Sequence, residues 1–263
     1  MSAGERPVIP ASDRPQAITA TPDGLVVHLA ALRKSAMLTA ALGLLHSAFF
    51  VAAIYMVGKA PGPSATDAEI VEYYSGNERR WILAAGLYLL PFAGIAFIWF
   101  TVALRAWSKG YIRRENALLS NVQLVAGVIY TAVLFVAAAS SSVSASVAEF
   151  SDHIDPMLAR QFPQFGSALI FVFAMRMAAM FVLTTTNIMK STKITPKWFT
   201  ILGYFVALFL LLTWSVDRAL VLVLPIWITI FCILVILRAR RIPKTGSLVE
   251  IEAAGIVYVG DEE

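Results

Sequence analysis

Long apolar runs without charge alternate with short polar segments over most of this chain. A helix needs about 20 residues to cross a hydrocarbon core of ~30 Å, and most of the runs are of that length. The buried strands and core helices of a soluble domain are usually shorter. The pattern predicts an all-α, polytopic membrane bundle of six transmembrane helices, over Ser35–Val57, Trp81–Leu104, Leu118–Val147, Ala168–Met189, Trp198–Trp214 and Ala219–Leu237.

Composition and charge agree with a membrane protein. The chain is 59% hydrophobic and 14% charged, whereas a soluble domain has about 25% charged residues. The pI near 9.3 does not indicate nucleic acid as a partner, because the basic residues stand at the ends of apolar runs. Lys and Arg flank the ends on one side more than twice as often as on the other. The bias predicts that both termini lie in the cytoplasm.

The regions outside the spans divide the chain into three parts. Residues 1–34 are expected to form a cytoplasmic tail, disordered at first and then a short amphipathic helix at the membrane surface over Gly24–Lys34. Residues 35–238 form the six-helix domain, and residues 239–263 a second cytoplasmic tail. Within that tail, Ser247–Val259 is rich in β-branched residues, so a short hairpin or added strand competes with a packed or disordered segment.

Two outer loops carry signals for helix starts. Thr66 and Glu69 have the spacing of a capping box, in which each side chain bonds to the backbone N–H of the other residue. Asp155 followed by Pro156 fits an N-cap with proline at the first helical position. Each outer loop is therefore expected to contain a helix.

The predicted fourth span carries the one charge placed deep inside a span, Arg176. A guanidinium at that depth costs roughly 2.5–3.5 kcal/mol on insertion scales and should face protein or water. Thr184 and Asn187 follow at offsets that share its helix face. Together these residues are candidates for binding a carboxylate, a phosphate or a lipid head group. In the alternative, Arg176 bonds to carbonyls, to the serines of the third span or to outer-loop acids.

Three further polar residues are candidates for a ligand site or a polar core. His46 lies on a face of small residues in the first span, and Gln123 and Tyr130 lie on a similar stripe of the third span. A histidine there can carry a proton or bind a ligand, or can simply pack between helices. Because the other two histidines fall outside the spans, we expect no haem. A single cysteine, Cys232, excludes a cysteine metal cluster within one chain, and no cofactor is expected.

Part of the sequence resembles a known family. The segment Asp67-Ala-Glu-Ile-Val-Glu-Tyr-Tyr74, then Arg80, the apolar stretch Gly86–Phe100 and Leu104-Arg105 are similar to a group of bacterial multi-pass membrane proteins, common in actinobacteria, whose function is unknown. The resemblance covers the first two spans and the loop between them. It implies a bacterial plasma-membrane protein and brings no activity or site residue with it.

The functional classes follow from these features. The sequence contains no phosphate-binding G-x-x-x-x-G-K-[ST], no G-x-G-x-x-G, no H-E-x-x-H and no C-x-x-C. The lack of catalytic groups in the spans favours a non-catalytic accessory, structural or regulatory subunit of a membrane complex. A small permease, or a lipid- or anion-binding protein that uses Arg176, is the alternative. An intramembrane enzyme has the least support. Expected partners are the lipid bilayer and other membrane subunits.

Overall fold

The structure is a computed structural model that describes residues 22–109, 117–151, 154–212 and 218–241. These residues form helices joined by short turns, and no strand occurs among them. We number the helices in chain order: α1 Pro22–Val57, α2 Asp67–Ser75, α3 Arg79–Lys109, α4 Ala117–Phe150, α5 Pro156–Ser191, α6 Lys197–Leu212 and α7 Val223–Arg240, which follows a helical turn over Arg218–Val221. The all-α prediction is confirmed for this part of the chain.

Five helical segments are long and apolar enough to cross a membrane: Leu29–Val57 of α1, then α3, α4, α5 and Ala219–Arg240. They contain, or nearly coincide with, five of the six predicted spans. The remaining prediction, Trp198–Trp214, overlaps α6, Lys197–Leu212. With 16 residues α6 measures about 24 Å and falls short of a typical hydrocarbon core.

The start of α1 differs from the sequence-based expectation. The segment Gly24–Lys34 was expected to be a separate helix on the membrane surface. It instead continues without a break into the first span, since α1 runs over 36 residues. Leu29 and Leu32 are buried. The expected disorder of residues 1–21 and the possible strand at Ser247–Val259 lie outside the described residues.

The long helices pack antiparallel to their neighbours in the chain. Gln123 near the start of α4 contacts Thr185 near the end of α5, while Ser141 near the end of α4 faces Gly166 near the start of α5. The same alternation places the start of α6 at the end of the bundle where α5 finishes. We call this end, where Lys109 also lies, the inner end.

Glycine lets neighbouring helices approach closely. A Cβ atom on Gly86 of α3 would lie 2.8 Å from Cβ of Ser142 on α4, which is closer than real side chains come. A Cβ atom on Gly43 of α1 would lie 3.0 Å from the ring of Phe100 on α3 and would also meet Cys232 on α7. Small residues at such crossings are typical of membrane helices, whose association depends on close packing.

Two helices contain a widened π-helical turn. One turn, Ala85–Leu89 in α3, immediately precedes the helix segment that contains Pro91. Proline lacks an N–H group and its ring crowds the carbonyl four residues earlier, so a local π turn accommodates it. The second turn, Leu169–Ala174 in α5, ends two residues before Arg176. Such turns leave backbone carbonyls available to side chains, which matters for Arg176.

A compact outer cap covers the end of the bundle opposite the inner end. We define the outer cap by its small hydrophobic cluster, formed where α2 packs on the outer ends of α3, α4 and α5: Ile70, Tyr73, Tyr74, Ile82, Ala145 and Ala159. The predicted helix starts are both confirmed here. Thr66 and Glu69 form the capping box of α2, and Asp155 caps α5 with Pro156 at its start.

Two arginines tie the outer cap together. Arg79 Nε donates to Glu149 Oε2 at 2.9 Å, and its Nη1 donates to carbonyl groups at the end of α2. Arg160 Nη2 donates to Asp67 Oδ1 at 2.9 Å and to the Ala65 carbonyl at 2.7 Å. Burial of Tyr74 in this cluster raises the pKa of its hydroxyl to about 12.

Candidate functional site

A continuous stack of aromatic rings fills the centre of the bundle. It begins at His46 on α1 and passes to Phe97 on α3, whose ring centroid lies 4.8 Å from that of His46, 4.6 Å from Tyr130 on α4 and 4.8 Å from Phe181 on α5. We call the whole set the aromatic column: His46, Phe50, Phe97, Phe100, Tyr130, Phe181, Phe199, Trp227 and Phe231. It joins six helices, and all of its members are buried.

His46 is completely buried within the aromatic column. Its Nδ1 lies 2.8 Å from the carbonyl oxygen of Ala93 on α3. Since a carbonyl can only accept, the proton is assigned to Nδ1 and the hydrogen bond joins α1 to α3. Nε2 of His46 and the hydroxyl of Tyr130 have no partner among the described residues. The rings of His46 and Tyr130, two residues singled out from the sequence, lie close together, with 5.9 Å between their centroids.

Gln123 lies apart from that pair. Its Nε2 donates to Thr185 Oγ1 at 2.7 Å, and this bond crosses from α4 to α5 in the buried interior. Its Oε1 is buried and has no partner in the described part of the chain. A buried polar bond between membrane helices contributes about 0.6 kcal/mol on average, with a maximum near 1.7. Gln123 thus serves helix packing in this structure.

Arg176 is half-buried on the side of α5. Its Nη1 donates to the carbonyl of Val172 in the preceding π-helical turn, at 2.8 Å. Within the residues that the structure describes, no carboxylate pairs with it. The sequence left open either the binding of an anion or bonds within the protein. The contact that the structure describes is a bond within the protein, to a backbone carbonyl. Whether Arg176 also binds an anion stays a prediction.

Thr184 and Asn187 make their described hydrogen bonds to groups other than Arg176. Thr184 Oγ1 donates back to the carbonyls of Met180 and Phe181 on its own helix. The side chain of Asn187 accepts from the hydroxyl of Tyr204 on α6 at 2.7 Å. On the helix face that the spacing predicts, Thr184 therefore bonds to its own backbone, while Asn187 contacts α6.

Sequence reasoning missed several residues of the interior. Thr185 is the partner of Gln123, but the sequence gave no reason to choose it over the threonines on either side of it. The role of Phe97 and Phe181 at the centre of the aromatic column was also missed, because apolar residues in a span resemble one another in sequence. The contacts of Lys59 were missed as well. Its Nζ lies 5.0 Å from the Tyr55 ring centroid and 4.9 Å from that of Trp81, a cation–π arrangement at the outer end.

The described interior offers packing contacts and unpaired polar atoms rather than a group of catalytic residues. Among the described residues, no three His, Cys, Asp or Glu side chains are grouped as a metal site would require. His46 bonds to a backbone carbonyl and not to a nucleophile or a carboxylate. Comparisons with protein-family models, with curated proteins and with solved structures found no match, so the resemblance seen in the first two spans stays an expectation.

Proposed function

We propose that this protein is a non-catalytic accessory subunit of a membrane complex, with a stabilising or regulatory role. The observation that carries the proposal is the aromatic column. Side chains from six helices fill the centre of the bundle, where a permease would need a polar path or a central binding site. A filled centre suits a protein that holds its shape and offers outer surfaces to other subunits.

The interhelical polar contacts support the same function. The bonds from Gln123 to Thr185 and from Tyr204 to Asn187 each join one helix to its neighbour. His46 joins α1 to α3 in the same way. Such bonds fix helices relative to one another and line no common path. The outer cap adds two ion pairs that hold the external connections.

The proposal includes six spans with both termini in the cytoplasm of a bacterial cell. The antiparallel alternation supports it, because α6 leaves the inner end and α7 returns there with Arg238 and Arg240 in its last turn. The excess of basic residues at the inner end supports a cytoplasmic assignment for it.

A permease or an anion- or lipid-binding protein remains a second candidate, favoured by one observation. Arg176 carries a positive charge at membrane depth and is only half-buried. A ligand carboxylate or phosphate would neutralise it. The filled centre means that such a ligand would bind at the side of the bundle rather than inside it.

Native mass spectrometry after gentle extraction from the source membrane tests the proposal. The tagged protein is released in mild detergent, and the mass of the intact assembly is measured. Co-release with other polypeptides in fixed stoichiometry is the expected result. Release of the protein alone, with a retained small anion or lipid, would contradict the accessory role and favour the second candidate.

A further inference from the structure

Two polar atoms at the centre of the aromatic column have no partner among the described residues. They are Nε2 of His46 on α1 and the hydroxyl oxygen of Tyr130 on α4. Both residues have 0% exposure. Buried polar groups in folded proteins nearly always bond to another protein group or to water. Two unpaired atoms on neighbouring rings of the interior therefore require an explanation.

The two atoms are complementary as acceptor and donor. Nδ1 of His46 lies 2.8 Å from the carbonyl oxygen of Ala93, so the proton is assigned to Nδ1 and Nε2 offers a lone pair. The hydroxyl of Tyr130 can donate one hydrogen bond and accept others. The two rings meet edge to face, with 5.9 Å between their centroids and 72° between their planes. The donor and the acceptor are thus close to each other without a direct bond.

The adjacent hydroxyl side chains are already bonded elsewhere. Ser47, which follows His46, donates to backbone carbonyls on α1 and α7. Thr131, which follows Tyr130, donates to a backbone carbonyl one turn earlier on α4, at 3.1 Å. Neither hydroxyl supplies a bond to the two unpaired atoms. The partner has to be a group other than these side chains.

That group has to be small, because phenylalanine rings pack closely around the imidazole. The ring centroids of Phe97 and Phe50 lie 4.8 and 5.7 Å from that of His46. With two hydrogen bonds of about 2.8 Å each, one water connects atoms up to about 5.6 Å apart, a span similar to the 5.9 Å between the rings of His46 and Tyr130. Apolar cavities in proteins stay dry, whereas buried waters lie beside polar groups that lack other partners.

We propose that one water molecule binds between His46 and Tyr130, where it donates to Nε2 and accepts from the tyrosine hydroxyl. The hydrogen bonds then run in one direction, from Tyr130 through the water and His46 to the carbonyl of Ala93. Bonds in such a chain polarise and strengthen one another. The water connects α4 to α1, which already bonds to α3, so polar contacts join three helices inside the aromatic column. This inference goes beyond the accessory function and does not depend on it.

Removing the Tyr130 hydroxyl tests the proposal, because a bonded and an unpaired hydroxyl give opposite results. Tyr130→Phe deletes one oxygen atom and keeps the ring, so the variant should fold. In reversible unfolding by sodium dodecyl sulfate, we expect its ratio of unfolded to folded protein to rise about 3-fold, the usual effect of one polar bond between membrane helices. An unpaired hydroxyl only adds a desolvation cost, so its removal would leave the ratio unchanged or lower it. Either of those results would overturn the proposal.

Two other tyrosines calibrate this measurement. The hydroxyl of Tyr204 donates to Asn187 at 2.7 Å, so Tyr204→Phe should show a rise similar to that of Tyr130→Phe. Tyr88 is 61% exposed, and Tyr88→Phe should show no change.

A double-mutant cycle tests whether the water is shared. His46→Asn places an amide N–H near the position of Nδ1 and removes Nε2. If one water bonds to both side chains, the effect of Tyr130→Phe should be much smaller in the His46→Asn background than in the wild type, because the bridge is already lost. Equal effects of Tyr130→Phe in the two backgrounds would refute the bridge.

Solid-state NMR in lipid bilayers distinguishes a water from a direct bond. Histidine is labelled with ¹⁵N and tyrosine with ¹³C at Cζ, and the variants His46→Asn and Tyr130→Phe assign the signals. We expect magnetisation to pass from water protons to Nε2 of His46. We also expect Nε2 and Cζ of Tyr130 to lie farther apart than about 4 Å, the separation set by a direct bond of about 2.8 Å plus the C–O bond. No transfer from water, or a separation of about 4 Å or less, would overturn the proposal.

Discussion

Replacing Phe97 by alanine should damage the fold severely, because Phe97 occupies the centre of the aromatic column. Its side chain has 0% exposure and contacts three other rings closely: His46, Tyr130 and Phe181. In a membrane the transfer term is small, since lipid is as apolar as the protein interior. The cavity left by the removed ring still lowers the free energy of unfolding. A cavity volume on the order of 100 Å³, at about 24 cal/mol per Å³, lowers it by roughly 2.4 kcal/mol. Lost aromatic pairs, at about 0.5–1.5 kcal/mol each, bring the expected total to about 4 kcal/mol.

The assay is reversible unfolding of purified protein in mixed micelles with increasing sodium dodecyl sulfate. Phe92→Ala is the matched control on the same helix, since its side chain is 51% exposed and has one ring contact, with Phe49 at 6.3 Å. We expect this control to lose less than about 1 kcal/mol. Equal losses in the two variants would refute the central role of Phe97. A stable Phe97→Ala protein that lets solutes pass would indicate that the column is a gate.

Three other predictions concern single contacts. In a double-mutant cycle with Gln123→Leu and Thr185→Val, unfolding should give a coupling energy of about 0.6–1.7 kcal/mol, and additive losses would contradict the bond between α4 and α5. Gly203→Ala should cost about 1–3 kcal/mol because its Cβ meets Thr186, and Thr186→Ala should recover part of the loss; no effect of Gly203→Ala on the melting temperature would disprove the close approach. The pKa of Tyr74 is raised to about 12 in the folded state, so its stabilising effect on the outer cap should be present below pH ~10 and decline as the pH rises toward 12. Amide exchange in α2 measures that decline, and Tyr74→Phe should shift it to higher pH.

Much of the membrane architecture follows from local sequence features. Apolar length alone predicted five of the helices that can cross a membrane, and capping chemistry predicted the starts of α2 and α5. These features depend on residues close together in the chain. The prediction for Trp198–Trp214 rested on the same hydropathy, but α6 measures 16 residues over its described part. Hydropathy also did not reveal that α1 begins as early as Pro22, because a helix can extend beyond its apolar segment.

The candidate site was predicted only in its components. His46, Gln123 and Tyr130 stood out because polar residues are costly inside a span. Their partners did not, because Ala93 contributes a backbone carbonyl and Thr185 is one of three consecutive threonines. Helix spacing grouped Arg176 with Asn187, and it could not indicate that α6 would provide Tyr204 to the latter.

Sequence patterns are sufficient to predict that most of this chain is helical, that most of its helices suit a membrane, and that one arginine stands among apolar residues. These properties arise from hydropathy and hydrogen bonding within single helices. The identity of the rings that fill the centre, and of the polar groups that meet, became clear from the three-dimensional arrangement of the helices. It also placed Arg176 on the side of the bundle. Those outcomes depend on how helices distant in the chain rotate and approach one another, which close packing at positions such as Gly43 and Gly86 controls.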